Sequence, residues 1–176
     1  LQLGFGALFS SSADKTIRRY DVRGEHAETL SWDAHNHSIT CMACAERLEL
    51  LCSGAEDGRI CLWKVGADAA TCSGTFTIRP AHHHASNLAI YALAVDPVSG
   101  DVLFSGGADY RVHMVDLRAR TMLHTLCGHT STVRALCFTP DTNLLCSSGG
   151  DFNLSVWSLG GSPQRRTTRD TPHSVD

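Results

Sequence analysis

Cysteine, histidine and a recurring Ser/His/Asp set are the residues through which this chain could do chemistry. Cys41-Met42-Ala43-Cys44 has the two-residue gap of a zinc or redox pair. Residues three apart on a strand face opposite sides, so the two sulfurs would not converge. The pair therefore reads as core. His82-His83-His84 is the densest group of imidazoles. Adjacent side chains rarely converge on one ion, and no second CxxC or carboxylate cluster accompanies them, so no metal is expected. Serine, histidine and aspartate are the types of a nucleophilic triad, but the set recurs along the chain. A nucleophile is needed once, whereas a fastening is needed once per structural unit. The chain has no GxSxG, no phosphate loop, no GxGxxG and no HExxH. No enzyme activity and no cofactor are expected.

The recurrence is regular. ALFSSSADKTIRRY, LLCSGAEDGRICLW, VLFSGGADYRVHMV and LLCSSGGDFNLSVW stack without gaps. Each has an apolar triplet before a serine: Ser10, Ser53, Ser105 or Ser147. Four residues on comes Asp14, Asp57, Asp109 or Asp151, and six beyond that comes Tyr20, Trp63, Val115 or Trp157. The aspartates are 43, 52 and 42 residues apart. A histidine precedes each later one: His35 and His129 by 22 residues, His82 by 27. The third unit therefore carries insertions on both sides of His82.

Such units need short elements to position them. Runs of about six residues follow each histidine (Ile39–Cys44, Ile90–Val95, Val133–Phe138), each closed by a polar turn. Short β-rich runs punctuated by Gly, Asp and Pro argue for an all-β chain. No stretch keeps a helical period for three turns.

A period near 42 with His, Ser, Asp and Trp at these offsets resembles the WD-repeat family of β-propellers. Departures are visible: the Trp-Asp pair never occurs, and only Gly128-His129 is a strict Gly-His. The resemblance implies a hydrogen-bonded chain of His35, Ser53, Asp57 and Trp63, and another of His129, Ser147, Asp151 and Trp157. It implies reduced versions at His82, Ser105 and Asp109 and at Ser10 and Asp14. Asp151→Ala or Asp57→Ala would then cost on the order of 1–3 kcal/mol. WD propellers usually close with seven blades, roughly 300 residues at this period. The expectation is an incomplete ring of about three to four blades with open edges. Residues 1–160 form it (units of about 1–24, 25–66, 67–118 and 119–160), beginning near a blade's second strand and ending after another's third. Residues 161–176 are expected as a flexible polar tail.

The implied function is a non-catalytic scaffold presenting loops to other proteins within a larger complex. The turns beside each Asp and His would carry the contacts: Lys15, Trp32, Asn36, Arg59, Tyr110, Thr130 and Phe152, with His83 and His84. One alternative is a substrate receptor of a cullin-RING ubiquitin ligase. It rests on Tyr20-Asp21-Val22-Arg23 and Val115-Asp116-Leu117-Arg118, which resemble a Trp-Asp-x-Arg ending and would use Arg23 and Arg118. The other is a chromatin- or RNA-associated propeller. The rest of its own propeller, or a ring-completing chain, would be a further partner.

Bulk properties bound these readings. The chain has 176 residues, 43% of them hydrophobic, and a formal net charge of −3. That excludes collagen, a coiled coil and wholesale disorder, and it supplies no strong field for nucleic acid. No apolar run approaches the ~18 residues of a membrane helix. Most of the eight cysteines sit in apolar runs and read as free, buried thiols. A reducing compartment is expected, the cytoplasm first and the nucleus as the alternative.

Overall fold

The computed structural model describes residues 1–22, 27–77, 88–139, 144–159 and, for the backbone alone, 164–168. Four antiparallel sheets of four strands make up the fold. Sheet 1 holds β1 (Gln2–Gly4), β2 (Ala7–Ser11), β3 (Thr16–Asp21) and β4 (Glu28–Asp33). Sheet 2 holds β5 (Ile39–Ala45), β6 (Leu50–Ala55), β7 (Arg59–Val65) and β8 (Ala70–Thr77). Sheet 3 holds β9 (Ile90–Val95), β10 (Val102–Gly107), β11 (Arg111–Asp116) and β12 (Thr121–Cys127). Sheet 4 holds β13 (Val133–Thr139), β14 (Leu144–Gly149), β15 (Leu154–Ser158) and β16 (Gln164–Thr168). Strands pair in sequence order within each sheet.

The sheets stack in a row through three apolar layers. Phe9, Ile17, Leu51 and Trp63 join sheets 1 and 2. Cys52, Ile60, Leu62, Ile90 and Leu103 join sheets 2 and 3. Phe104, Val112, Val133, Leu145 and Trp157 join sheets 3 and 4. Each layer follows from period-2 alternation: consecutive residues such as Leu51 and Cys52 feed opposite layers. The innermost strands β1, β5, β9 and β13 neighbour one another along the row. The arc is not closed.

Arginines stitch successive sheets at the end away from the aspartate turns. Arg19 donates to the Gly66 carbonyl at 3.1 Å, Arg47 to the Ser99 carbonyl at 3.1 Å, and Arg120 to Ser73 Oγ at 3.1 Å. Gly100 permits the second contact, because its φ is +71° and a Cβ there would lie 2.6 Å from the Arg47 side chain.

Two expectations change. Sheets and sequence units are offset by one strand: β4, within the unit that begins near residue 25, is the outer strand of sheet 1. The residues after 160 are not all tail, since Gln164–Thr168 pairs with β15 along its length. An outermost strand needs backbone partners on one side only and no apolar alternation, so polar sequence suffices there.

Candidate interaction face

The loops between the second and third strands of each sheet share one geometry. The backbone N–H of Lys15, Gly58, Tyr110 and Phe152 donates to the carbonyl three residues back, at 3.2–3.3 Å. The preceding aspartate caps the turn. Its Oδ1 accepts the N–H two residues on, from Thr16, Arg59, Arg111 and Asn153 at 3.0–3.3 Å. The residue after the aspartate is left-handed every time: φ is +74° at Lys15, +76° at Gly58, +67° at Tyr110 and +59° at Phe152. Glycine takes this conformation freely, whereas other residues pay on the order of 1–3 kcal/mol. Phe152 is nonetheless 99% exposed and Tyr110 46%. Asn36, Arg59 and Thr130 are exposed as well. Asn36 and Arg59 line a hollow of about 130 Å³ with Asp33, Ala34, His35 and Cys61.

Beneath the turns the four sheets differ. Sheet 4 has the complete chain. Trp157 Nε1 donates to Ser147 Oγ at 2.8 Å, Ser147 Oγ meets His129 Nε2 at 2.8 Å, and His129 Nδ1 meets Asp151 at 2.9 Å. One tautomer serves every step, with Nδ1–H donating to the carboxylate and Nε2 accepting the serine proton. Thr130 N–H adds a further bond to Asp151 at 3.0 Å. Burial pushes the Asp151 carboxyl up, but the bonds from Thr130, Asn153 and His129 outweigh it and hold the pKa at about 2.

Sheet 2 has three of the four members. Trp63 donates to Ser53 at 2.9 Å and His35 Nε2 meets Ser53 at 2.7 Å. Asp57 turns instead toward Arg59, 3.8 Å from its Nε, and Cys61 Sγ lies 3.9 Å from His35 Nδ1. Burial lowers the His35 pKa, with the nearby Asp57 charge opposing it.

In sheet 3 His113 Nε2 meets Asp109 Oδ2 at 2.6 Å and Nδ1 meets Thr125 at 3.1 Å, both His113 and Asp109 being largely buried. Val115 offers Ser105 no donor, and the buried Ser105 Oγ has no hydrogen-bond partner among the described residues. Among the described residues sheet 1 has no such set. Asp14 is exposed and bonds Thr16 and Arg18, and the half-buried Ser10 and Tyr20 line a separate hollow.

Several expectations are thereby corrected. Asp57 does not bond His35, because Arg59 and its own turn hold the carboxylate. Ser10 and Asp14 belong to no set among the described residues, where no histidine bonds them. Trp32 is not displayed: its ring packs on Trp63 with centroids 5.9 Å apart, and its buried Nε1 has no hydrogen-bond partner among the described residues. Arg118 is not among the corrected residues: the side chain that the ligase-receptor alternative uses is exposed at the far end of β11 from Tyr110, paired with Asp101 at 2.6 Å. His82, His83, His84 and Arg23 fall outside the described residues.

The separation of Cys41 from Cys44 follows the strand rule: Cys41 packs in the layer of sheets 2 and 3, and Cys44 in that of sheets 1 and 2. Among the described residues no three His, Cys, Asp or Glu side chains gather as metal ligands, and no helix is long and apolar enough to cross a membrane. Sequence reasoning missed His113. Its signal was present: it occupies the strand position of Cys61 and Ser155, which face the histidine side.

The family model described as "WD domain, G-beta repeat" matches residues 27–64 and 120–158. The chain belongs to the WD-repeat family. It is 31% identical over 134 residues to a U3 snoRNP-associated protein-like EMB2271 of Arabidopsis thaliana, covering 70% of this chain and 28% of that one. Human pre-mRNA-processing factor 19 is 35% identical over 77 residues, covering 44% of this chain and 15% of that protein. This WD-repeat chain thus spans less than a third of either relative. The crystal structure of RRP9 WD40 repeats superposes with a TM-score of 0.78 at 23% identity, over 92% of this chain and 47% of that chain. That likeness concerns the fold. Both matched stretches of the family model end on a strand whose tryptophan anchors a WD-repeat clasp, Trp63 and Trp157.

Proposed function

We propose that this WD-repeat chain is a non-catalytic scaffold that docks protein partners on its aspartate-turn face, within a nuclear RNA-processing assembly. One observation carries the docking face: two aromatic residues, Tyr110 and Phe152, hold left-handed turn positions while facing solvent. Neither strain nor exposure of a large ring benefits the isolated fold, and strained exposed residues concentrate at binding sites. The clasps beneath hold the turns rigid, so little ordering entropy is lost on docking. A scaffold also suits the serines of the two clasps: Ser53 and Ser147 are 0% and 1% exposed and already bonded to tryptophan, so neither is presented to a substrate.

The names of the two relatives support the RNA-processing setting and favour the nucleus over the cytoplasm. Contact with RNA through intermediary proteins fits a chain of net charge −3 better than direct binding. The test is purification of the tagged protein from nuclear extract, with and without ribonuclease, beside a Tyr110→Ala/Phe152→Gly double variant. The reading predicts a stoichiometric protein set that survives ribonuclease and is lost from the variant. Identical recovery by the variant overturns the docking face. Absence of any RNA-processing protein overturns the setting. A cullin adaptor in the set would favour the ligase-receptor alternative.

A further inference from the structure

Sheet 4 shows what a carboxylate seat looks like in this fold. Asp151 accepts from His129 Nδ1 at 2.9 Å, from Thr130 N–H at 3.0 Å and from Asn153 N–H at 3.2 Å. Sheet 2 builds the same seat, but its own aspartate does not take it. Asp57 caps its turn through Arg59 N–H and lies 3.8 Å from Arg59 Nε.

The donors of that seat remain in place. Trp63 already donates to Ser53 Oγ, so the serine proton goes to His35 Nε2 and Nδ1–H is the donor. The recorded neighbour of Nδ1 is Cys61 Sγ at 3.9 Å, a weak acceptor. The N–H of Asn36, counterpart of Thr130 N–H, has no acceptor among the described residues. His35 and Asn36 both line the hollow of about 130 Å³, with Arg59, Cys61 and Asp33 around it. One water needs roughly 10–15 Å³ of such volume, so the hollow admits a group of several heavy atoms. It lies within the row of sheets: Cys61 belongs to the layer between sheets 1 and 2, and residues 34–36 link β4 to β5.

Charge narrows the guest. Arg59 is exposed and offers a guanidinium to an anion. Asp33, which also lines the hollow, and Asp57 oppose a second negative charge. A single carboxylate therefore fits better than a phosphate dianion. We propose, on the footing of the docking face above, that a protein partner inserts an aspartate or glutamate side chain into this hollow. Its carboxylate accepts from His35 Nδ1–H and Asn36 N–H and pairs with Arg59, completing sheet 2 as Asp151 completes sheet 4. Tyr110 and Phe152 supply apolar contact on the same face, and the charge-assisted bonds fix the partner's register.

The first test titrates sodium acetate into the ¹⁵N-labelled protein, with sodium chloride and sodium phosphate at matched ionic strength beside it. The Asn36 amide and the His35 ring nitrogens should shift saturably with acetate. The Thr130 amide should not, because Asp151 fills its seat. Arg59→Asn gives sheet 2 the residue of sheet 4, lets Asp57 close on His35, and should weaken acetate by about tenfold or more. Equal responses at Asn36 and Thr130, no saturation, or a stronger response to phosphate would overturn the seat. Should Arg59→Asn fail to fold, the parent titration decides, with Thr130 as its internal reference.

The second test asks what occupies the seat in the complex. Asn36→Lys protein, recovered with its partners from nuclear extract, is treated with a zero-length carbodiimide. The introduced amine should couple to an aspartate or glutamate of a partner, mapped by mass spectrometry. A complex that forms without such a link overturns the partner's acid while the docking face stands. Full recovery of partners by the Tyr110→Ala/Phe152→Gly variant, with the acetate response intact, overturns the docking face while the seat stands.

Discussion

Sheets 2 and 4 start from the same residue types at the same spacing and arrive at different arrangements. In both, a tryptophan, a serine and a histidine link within 2.9 Å. The fourth member separates them. Asp151 closes on His129 and on Thr130 N–H, next to an uncharged Asn153. Asp57 has Arg59 at the position of Asn153, and its carboxylate lies 3.8 Å from that guanidinium instead of on the histidine. A motif therefore specifies which groups are available, while the residue two places on decides which of them meet. In sheet 2 the neighbour of His35 Nδ1 is Cys61, 3.9 Å away, and not a carboxylate.

The widest gap between the two sheets should appear on deleting the aspartate. Asp151→Ala leaves His129 and a backbone N–H unsatisfied in a buried site, and about 2–3 kcal/mol of stability is expected to go. Asp57→Ala should cost about 1 kcal/mol or less, chiefly through its turn. Equal losses in urea titrations would erase the distinction.

Acid should separate them next. The His35 pKa is depressed on folding, so its contribution is complete above the unfolded value of about 6.5 and fades as pH falls below it. The Asp151 pKa is depressed to about 2, so that contribution holds above the unfolded carboxylate range, near 4, and is lost between there and about 2. Sheet 2 should loosen first on acidification, as read by hydrogen exchange in β6 and β14. Asp151→Asn should remove the lower step alone.

Serine deletion extends the comparison to sheet 3. Ser147→Ala should cost about 1–2 kcal/mol, because it removes the hydroxyl that Trp157 Nε1 and His129 Nε2 share. Ser105→Ala should fall within about 0.5 kcal/mol of the parent, because the hydroxyl has no described partner to lose. A cost matching Ser147→Ala would reveal a partner supplied from residues 78–87.

The smallest effect runs the other way. Phe152→Gly relieves a left-handed phenylalanine and should raise stability by up to about 1 kcal/mol in a thermal melt. Gly58 already holds the equivalent position in sheet 2, so Gly58→Ala should move stability in the opposite direction.

What the sequence disclosed, and what it did not, follows from range. The aspartate turns are local: an acid two residues before its N–H donor can be read from spacing. The layers are nearly so, because Leu51-Cys52 and Phe104-Ser105 alternate visibly. The His35–Ser53 bond was reachable through the repeat, since both members recur at fixed offsets. The release of Asp57 was not, because it turns on a competition between Arg59 and His35 in space. His113 escaped because a histidine within a strand was not compared with the histidine that precedes one. The opposition of Cys137 and Cys146 depends on the register of β13 on β14. The strand Gln164–Thr168 escaped because an outer strand carries no apolar code.

The one-strand offset between sequence units and sheets bears on how such an arc can be trimmed or rebuilt. A cut at a unit boundary, near residue 66, takes β8 from sheet 2 and leaves Ile60 and Trp63 behind a missing outer strand. A cut between residues 33 and 39 falls between sheets 1 and 2. Gain or loss of a whole unit preserves every sheet only when the flanking units supply the exchanged strands. Neighbouring units are therefore buttoned together by the backbone itself, before any side chain contributes.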